Sequence, residues 1–170
     1  PNPDPRHPRV TKRRLMLSGG IAGTLWALLV VWVPGQGAQS FIPLNVALIY
    51  AFLPAGLVLM AIIGRVAMLR FSDDDIIDGG PLPAGSRVEI DQRVLASTVE
   101  QSLLALLLWP FVAVTLGSVT VIAMGIAFAL ARLAFWLGYH IAPPLRIFGF
   151  AASFYPTVLA TLWSLWRLVT

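Results

Sequence analysis

An all-α integral membrane protein with five transmembrane helices is what this sequence predicts, and three observations predict it. The 170 residues are 58% hydrophobic and only 12% charged, with a mean hydropathy of +0.81, which is more apolar surface than a soluble domain of this size can hide. No Asp, Glu, Lys or Arg occurs from Leu15 to Gly64, from Gln101 to Ala131 or from Ile147 to Trp166, and about 20 apolar residues suffice for a helix to cross a bilayer. Of the 12 Lys and Arg residues, eleven fall on one side of the predicted spans and only Arg167 on the other.

The elements follow in order. Residues 1–14 carry Arg6, Arg9, Lys12, Arg13, Arg14 and four prolines, the composition of a solvated basic arm without a core of its own. Residues 15–33 form the first apolar run, longer than a signal-peptide core and followed by Pro34-Gly35-Gln36-Gly37, which offers no small-x-small cleavage site; it reads as an uncleaved anchor. A second span runs from Leu44 to Gly64, extended by Arg65 and Arg70, with Pro54 expected to kink it. Residues 71–87 are the sizeable polar loop, with Asp73-Asp74-Asp75 and Asp78-Gly79-Gly80. A third helix is expected from near Val88, entering the membrane around Ser97 and ending near Leu116. Gly117-Ser118 turns the chain into a fourth, through about Tyr139. Pro143-Pro144 then interrupts the backbone, because neither residue has an N–H to donate, and a fifth helix closes the chain from Leu145 to Leu168.

The eleven-to-one basic asymmetry places the arm, the acidic loop and the Pro-Pro turn in the cytoplasm and the C-terminus on the opposite face of the membrane. The six tryptophans fall mostly near predicted span ends and read as an aromatic belt. The net charge of +4 sits beside apolar runs rather than on a basic face with interleaved aromatics, which excludes a nucleic-acid partner. With no cysteine, the chain has no disulfide, no thiolate metal site and no thiol nucleophile of its own. The acidic turn lacks the alternating ligands of a calcium loop, and neither His7 nor His140 has a second ligand at helical spacing, so no metal is expected. Gly19 and Gly23 make a GxxxG pair suited to close helix approach, with another subunit as one candidate neighbour.

The candidate chemistry lies on the third and fourth helices. Arg93, Ser97 and Glu100 stand at i, i+4 and i+7, one polar stripe entering the membrane; Arg132, Phe135 and Tyr139 stand at i, i+3 and i+7, again on one face, and Arg146 begins the fifth helix. Ionisable groups at that depth cost at least about 2.5–3.5 kcal/mol each on insertion scales and so should face a bundle interior or a wet cavity. Two readings stand at this point: a structural Glu100–Arg132 ion pair with Arg93 and Arg146 reaching to the interface, or a ligand site.

The run Arg93-Val94-Leu95-Ala96-Ser97-Thr98-Val99-Glu100-Gln101, with Arg132, Phe135, Gly138, Tyr139, Leu145-Arg146 and Gly149-Phe150, resembles the MAPEG family of membrane-associated proteins in eicosanoid and glutathione metabolism. The resemblance covers about residues 44–168, leaves the first span outside it, and implies a four-helix bundle assembled as a homotrimer that binds glutathione between subunits at the cytoplasmic end. It implies that Arg93 and Glu100 hold the charged ends of glutathione, that Arg132 and Tyr139 line the site, and that Arg146 sits by the sulfur. A guanidinium there would lower a thiol pKa and raise the population of the nucleophilic thiolate. Ser97 stands where the family usually has Asn, Phe135 where it has a Tyr, and Leu95 where its leukotriene-synthase group has Gln.

The resemblance therefore implies a glutathione-dependent transferase or peroxidase acting on a lipophilic electrophile, in a bacterial cytoplasmic membrane. The alternative is a non-catalytic structural or accessory subunit of a larger membrane complex, attached through the extra helix.

Overall fold

The computed structural model describes residues 7–36, 41–141 and 143–170; residues 1–6 of the basic arm and the middle of the first connection lie outside these. It is all-helical: α1 (His7–Trp32), α2 (Leu44–Phe71), α3 (Arg87–Leu116), α4 (Ser118–His140) and α5 (Pro143–Val169), with a short 3-10 turn after α1. All five helices are long and apolar enough to cross a membrane. The protein is an integral membrane protein.

Two boundaries differ from expectation. α1 does not begin at Leu15 but continues back to His7, through much of the expected unstructured arm. Lys and Arg are good helix formers, and Pro8 falls in the first turn, where its missing N–H costs nothing. α5 starts at Pro143, so both prolines serve as its first turn rather than preceding it. The start of α3 is written into the sequence: Ser86 Oγ accepts from the Glu89 N–H at 3.2 Å, and Glu89 reaches back to accept from the Gly85 N–H at 2.6 Å. Gly117, at φ 99°, is the single residue between α3 and α4, a conformation that side chains rarely tolerate.

The acidic connection between α2 and α3 is anchored, since Ile76 is 1% exposed. The main core is built from small and aromatic residues. Ala47, Ala51, Ala55 and Ala105 let the backbones approach, while Trp109 fills the centre, stacked on Phe52 at 5.5 Å and edge-on to Phe128 at 5.8 Å. Trp109 is thus a core residue and not a belt residue; its indole N–H donates to Thr157 at 3.1 Å. Trp32 and Trp166 are exposed, as a belt requires.

α1 lies along α5. A Cβ at Gly19 would stand 2.8 Å from Ile147, and one at Gly23 would collide with Ala151. The GxxxG pair therefore does serve close approach, against α5 of the same chain. The constant offset between the two contacts means that α1 and α5 run parallel.

Candidate functional site

Two glycines shape the region where α3, α4 and α5 meet. Gly138 on α4 leaves no room for a Cβ against the backbone of Arg146, and Gly149 on α5 leaves none against the backbone of Phe135. The two helices touch main chain to main chain at both points. That contact lays the Arg146 guanidinium over the Tyr139 ring, 4.9 Å from its centroid, and brings Phe150 to 6.2 Å from Phe135. Around them opens a hollow of about 390 Å³ lined by Ser97, Phe135, Tyr139, Arg146, Ile147 and Phe150. Four of the seven sequence-predicted site residues, Ser97, Phe135, Tyr139 and Arg146, are thus brought to one place.

The other three are elsewhere. Arg93 is exposed and occupied: its Nη2 donates to Glu89 at 2.6 Å, one turn back on the same helix. Glu100 is exposed on the outer flank of α3 and makes no ion pair or hydrogen bond among the described residues. Arg132 is 0% exposed beneath the hollow, its Cζ 4.0 Å from the centroid of the Phe135 ring that roofs it. Its Nε and Nη2 donate to Thr98 Oγ1 at 3.1 and 2.7 Å, and its Nη1 reaches Ser153 Oγ at 3.5 Å. The expected Glu100–Arg132 ion pair is therefore absent. Position 100 turns away from α4, while Thr98 occupies the face that meets Arg132.

Ser153 extends this network by donating to Gln101 Oε1 at 2.6 Å. The Gln101 amide nitrogen is buried without a partner. Arg132 has hydroxyls and an aromatic face for company but no carboxylate, so its charge is only partly compensated.

The buried carboxylate that sequence reasoning missed is Asp91. It is 0% exposed, and three donors from two other helices converge on it: Arg65 Nε at 2.8 Å, Trp136 Nε1 at 2.7 Å and His140 Nε2 at 2.7 Å. Arg65 also lies over the Trp136 ring at 6.0 Å. Asp91 ties the ends of α2 and α4 to α3 immediately beside the hollow, and pins α4 on either side of Tyr139. A signal existed: Val88, Asp91, Val94, Thr98, Gln101 and Ala105 recur at three- and four-residue steps, the spacing of a buried stripe.

No metal-binding group of three His, Cys, Asp or Glu residues occurs among the described residues. Among known proteins, the model of the MAPEG family matches residues 44–166, which takes in α2 to α5 almost entirely and leaves α1 outside. No curated protein and no solved structure matches the chain.

Proposed function

The chain belongs to the MAPEG family, and from that premise we propose that it is a glutathione-dependent transferase or peroxidase acting on lipophilic electrophiles. The observation that carries the reading is the hollow between α3, α4 and α5, where a half-buried guanidinium, Arg146, stands in the first turn of a helix with Tyr139 and Ser97 beside it. The N-terminal turn of α5 adds its own positive partial charge to that of Arg146. Glutathione supplies the thiol that a chain without cysteine lacks. Arg146 favours the thiolate by charge, the Ser97 hydroxyl and the Tyr139 phenol offer hydrogen bonds, and Ile147 and Phe150 present an apolar wall to the second substrate.

A homotrimer belongs to this proposal. Arg93, Ala96, Glu100, Leu103 and Leu107 are exposed at alternating three- and four-residue steps along α3, the pattern of a helix seam. A lone carboxylate at this depth on an otherwise largely apolar flank calls for a partner, and a second copy carrying bound glutathione supplies its ammonium group. In this reading the protein sits in a bacterial cytoplasmic membrane, and the basic asymmetry supports a hollow that faces the cytoplasmic side.

One observation favours the second reading, a non-catalytic subunit of a larger membrane complex: Arg93 is neutralised by Glu89, and Arg132 is roofed by a Phe with no hydroxyl to offer. Calorimetry of purified protein with glutathione separates the two. Binding in the millimolar range or tighter, with Arg146→Leu lowering turnover of a model electrophile at least about tenfold while leaving S-methylglutathione binding intact, supports the enzyme. Absence of binding, with none created by Phe135→Tyr together with Ser97→Asn, overturns it.

A further inference from the structure

The family match begins only at residue 44, after α1 has ended, so the first helix needs its own account. Its apolar part is seated by the Gly19 and Gly23 contacts with Ile147 and Ala151. Carried toward the N-terminus, the same parallel register sets Leu15 level with Pro143, the first residue of α5. Everything from His7 to Arg14 therefore stands beyond the end of α5, two turns of continuous helix about 12 Å long. The headgroup layer on one side of a bilayer is about 5–8 Å deep. The overhang thus passes through that layer, at the same end of the bundle as Arg146.

The overhang has one charge sign. It carries Arg9, Lys12, Arg13 and Arg14, and the only acidic residue before Asp73 is Asp4. Three consecutive basic residues, Lys12, Arg13 and Arg14, come immediately before Leu15, where the apolar run starts. A cluster of Lys and Arg held against the membrane end of a span gains from each anionic headgroup within a Debye length.

We propose that the His7–Arg14 overhang of α1 is a binding site for anionic phospholipid headgroups. It takes the phosphates of an acidic lipid surface, and the GxxxG contacts hold it at headgroup height. Because Ile147 both receives Gly19 and lines the hollow, the lipid-engaged helix also backs one wall of that site. The proposal stands apart from the glutathione reading and survives its failure.

The test is amide hydrogen exchange of residues 9–15 in the full chain, in nanodiscs of neutral phosphatidylcholine and in nanodiscs containing one-third phosphatidylglycerol. Exchange is expected to be at least about fivefold slower in the anionic discs, with the difference collapsing in about 1 M salt. The triple change Lys12→Gln, Arg13→Gln, Arg14→Gln is expected to remove the lipid dependence. Equal rates in the two lipids overturn the proposal; protection that is equally strong in both would assign the arm to a protein surface such as the Asp73–Asp78 turn. Slowing in neutral discs on addition of millimolar inorganic phosphate would also overturn it, in favour of a soluble-anion site.

Discussion

The indole of Trp136 donates to Oδ1 of Asp91 at 2.7 Å, joining the last turns of α4 to the first turns of α3. His140, one turn on, meets the same oxygen, and Arg65 of α2 takes the other. This carboxylate compensates charge and holds three helices at once, in contrast to Arg132, whose hydrogen bonds among the described residues go only to hydroxyls.

Asp91→Asn should lower the free energy of unfolding by about 2–3 kcal/mol. Breaking a fully buried pair costs about 3–5 kcal/mol, and the lower figure reflects Arg65, whose side chain is 42% exposed and regains water. Unfolding by sodium dodecyl sulfate in mixed micelles measures this. A loss under about 0.5 kcal/mol would show that the three donors find water instead.

Arg132→Met should leave stability unchanged or raise it, since replacing an incompletely compensated buried charge by an apolar side chain of similar length is often neutral or favourable by about 1–4 kcal/mol. The Thr98 hydroxyl keeps its bond to the Val94 carbonyl, and the Ser153 hydroxyl its bond to Gln101. A drop above about 2 kcal/mol in the same unfolding assay would instead make the guanidinium a structural strut.

Glu100→Gln should change the stability of the detergent-solubilised monomer by no more than about 0.5 kcal/mol, because the side chain is exposed and makes no hydrogen bond or ion pair among the described residues. Its effect is expected in assembly and ligand binding: native mass spectrometry should show fewer trimers, or calorimetry weaker glutathione binding. A variant that unfolds several kcal/mol earlier as a monomer would restore the internal ion pair.

Gly23→Leu should separate α1 from α5, as even its Cβ has no room against Ala151, whereas Gly20→Leu points into open space and should be tolerated. Overpacking of this kind costs about 1–3 kcal/mol or expels the element. Amide exchange along α1 reads the difference; equal protection in the two variants would mean that α1 is held elsewhere.

The sequence by itself determined the number of spans, their approximate ends and the family, because long charge-free intervals, prolines at boundaries and a run of spaced polar residues are properties of the chain alone. Gly117 even marks a helix end to the residue, since positive φ is local chemistry. Which face of α3 turns inward was not local. The helix carries two stripes at heptad-like spacing, Arg93–Ala96–Glu100–Leu103 and Asp91–Val94–Thr98–Gln101. Each holds ionisable or polar groups, and residues two apart point nearly opposite ways.

Periodicity cannot choose between such faces. The choice was made by donors on other helices, Arg65, Trp136 and His140 closing on Asp91 and Arg132 closing on Thr98, and by the glycine contacts that bring α5 against α4. In a span surrounded by lipid, apolar burial does not decide which face turns inward, because lipid tails are as apolar as a packed core. Hydrogen bonds and close backbone packing across the bundle decide it instead, and both exist only once the helices have met.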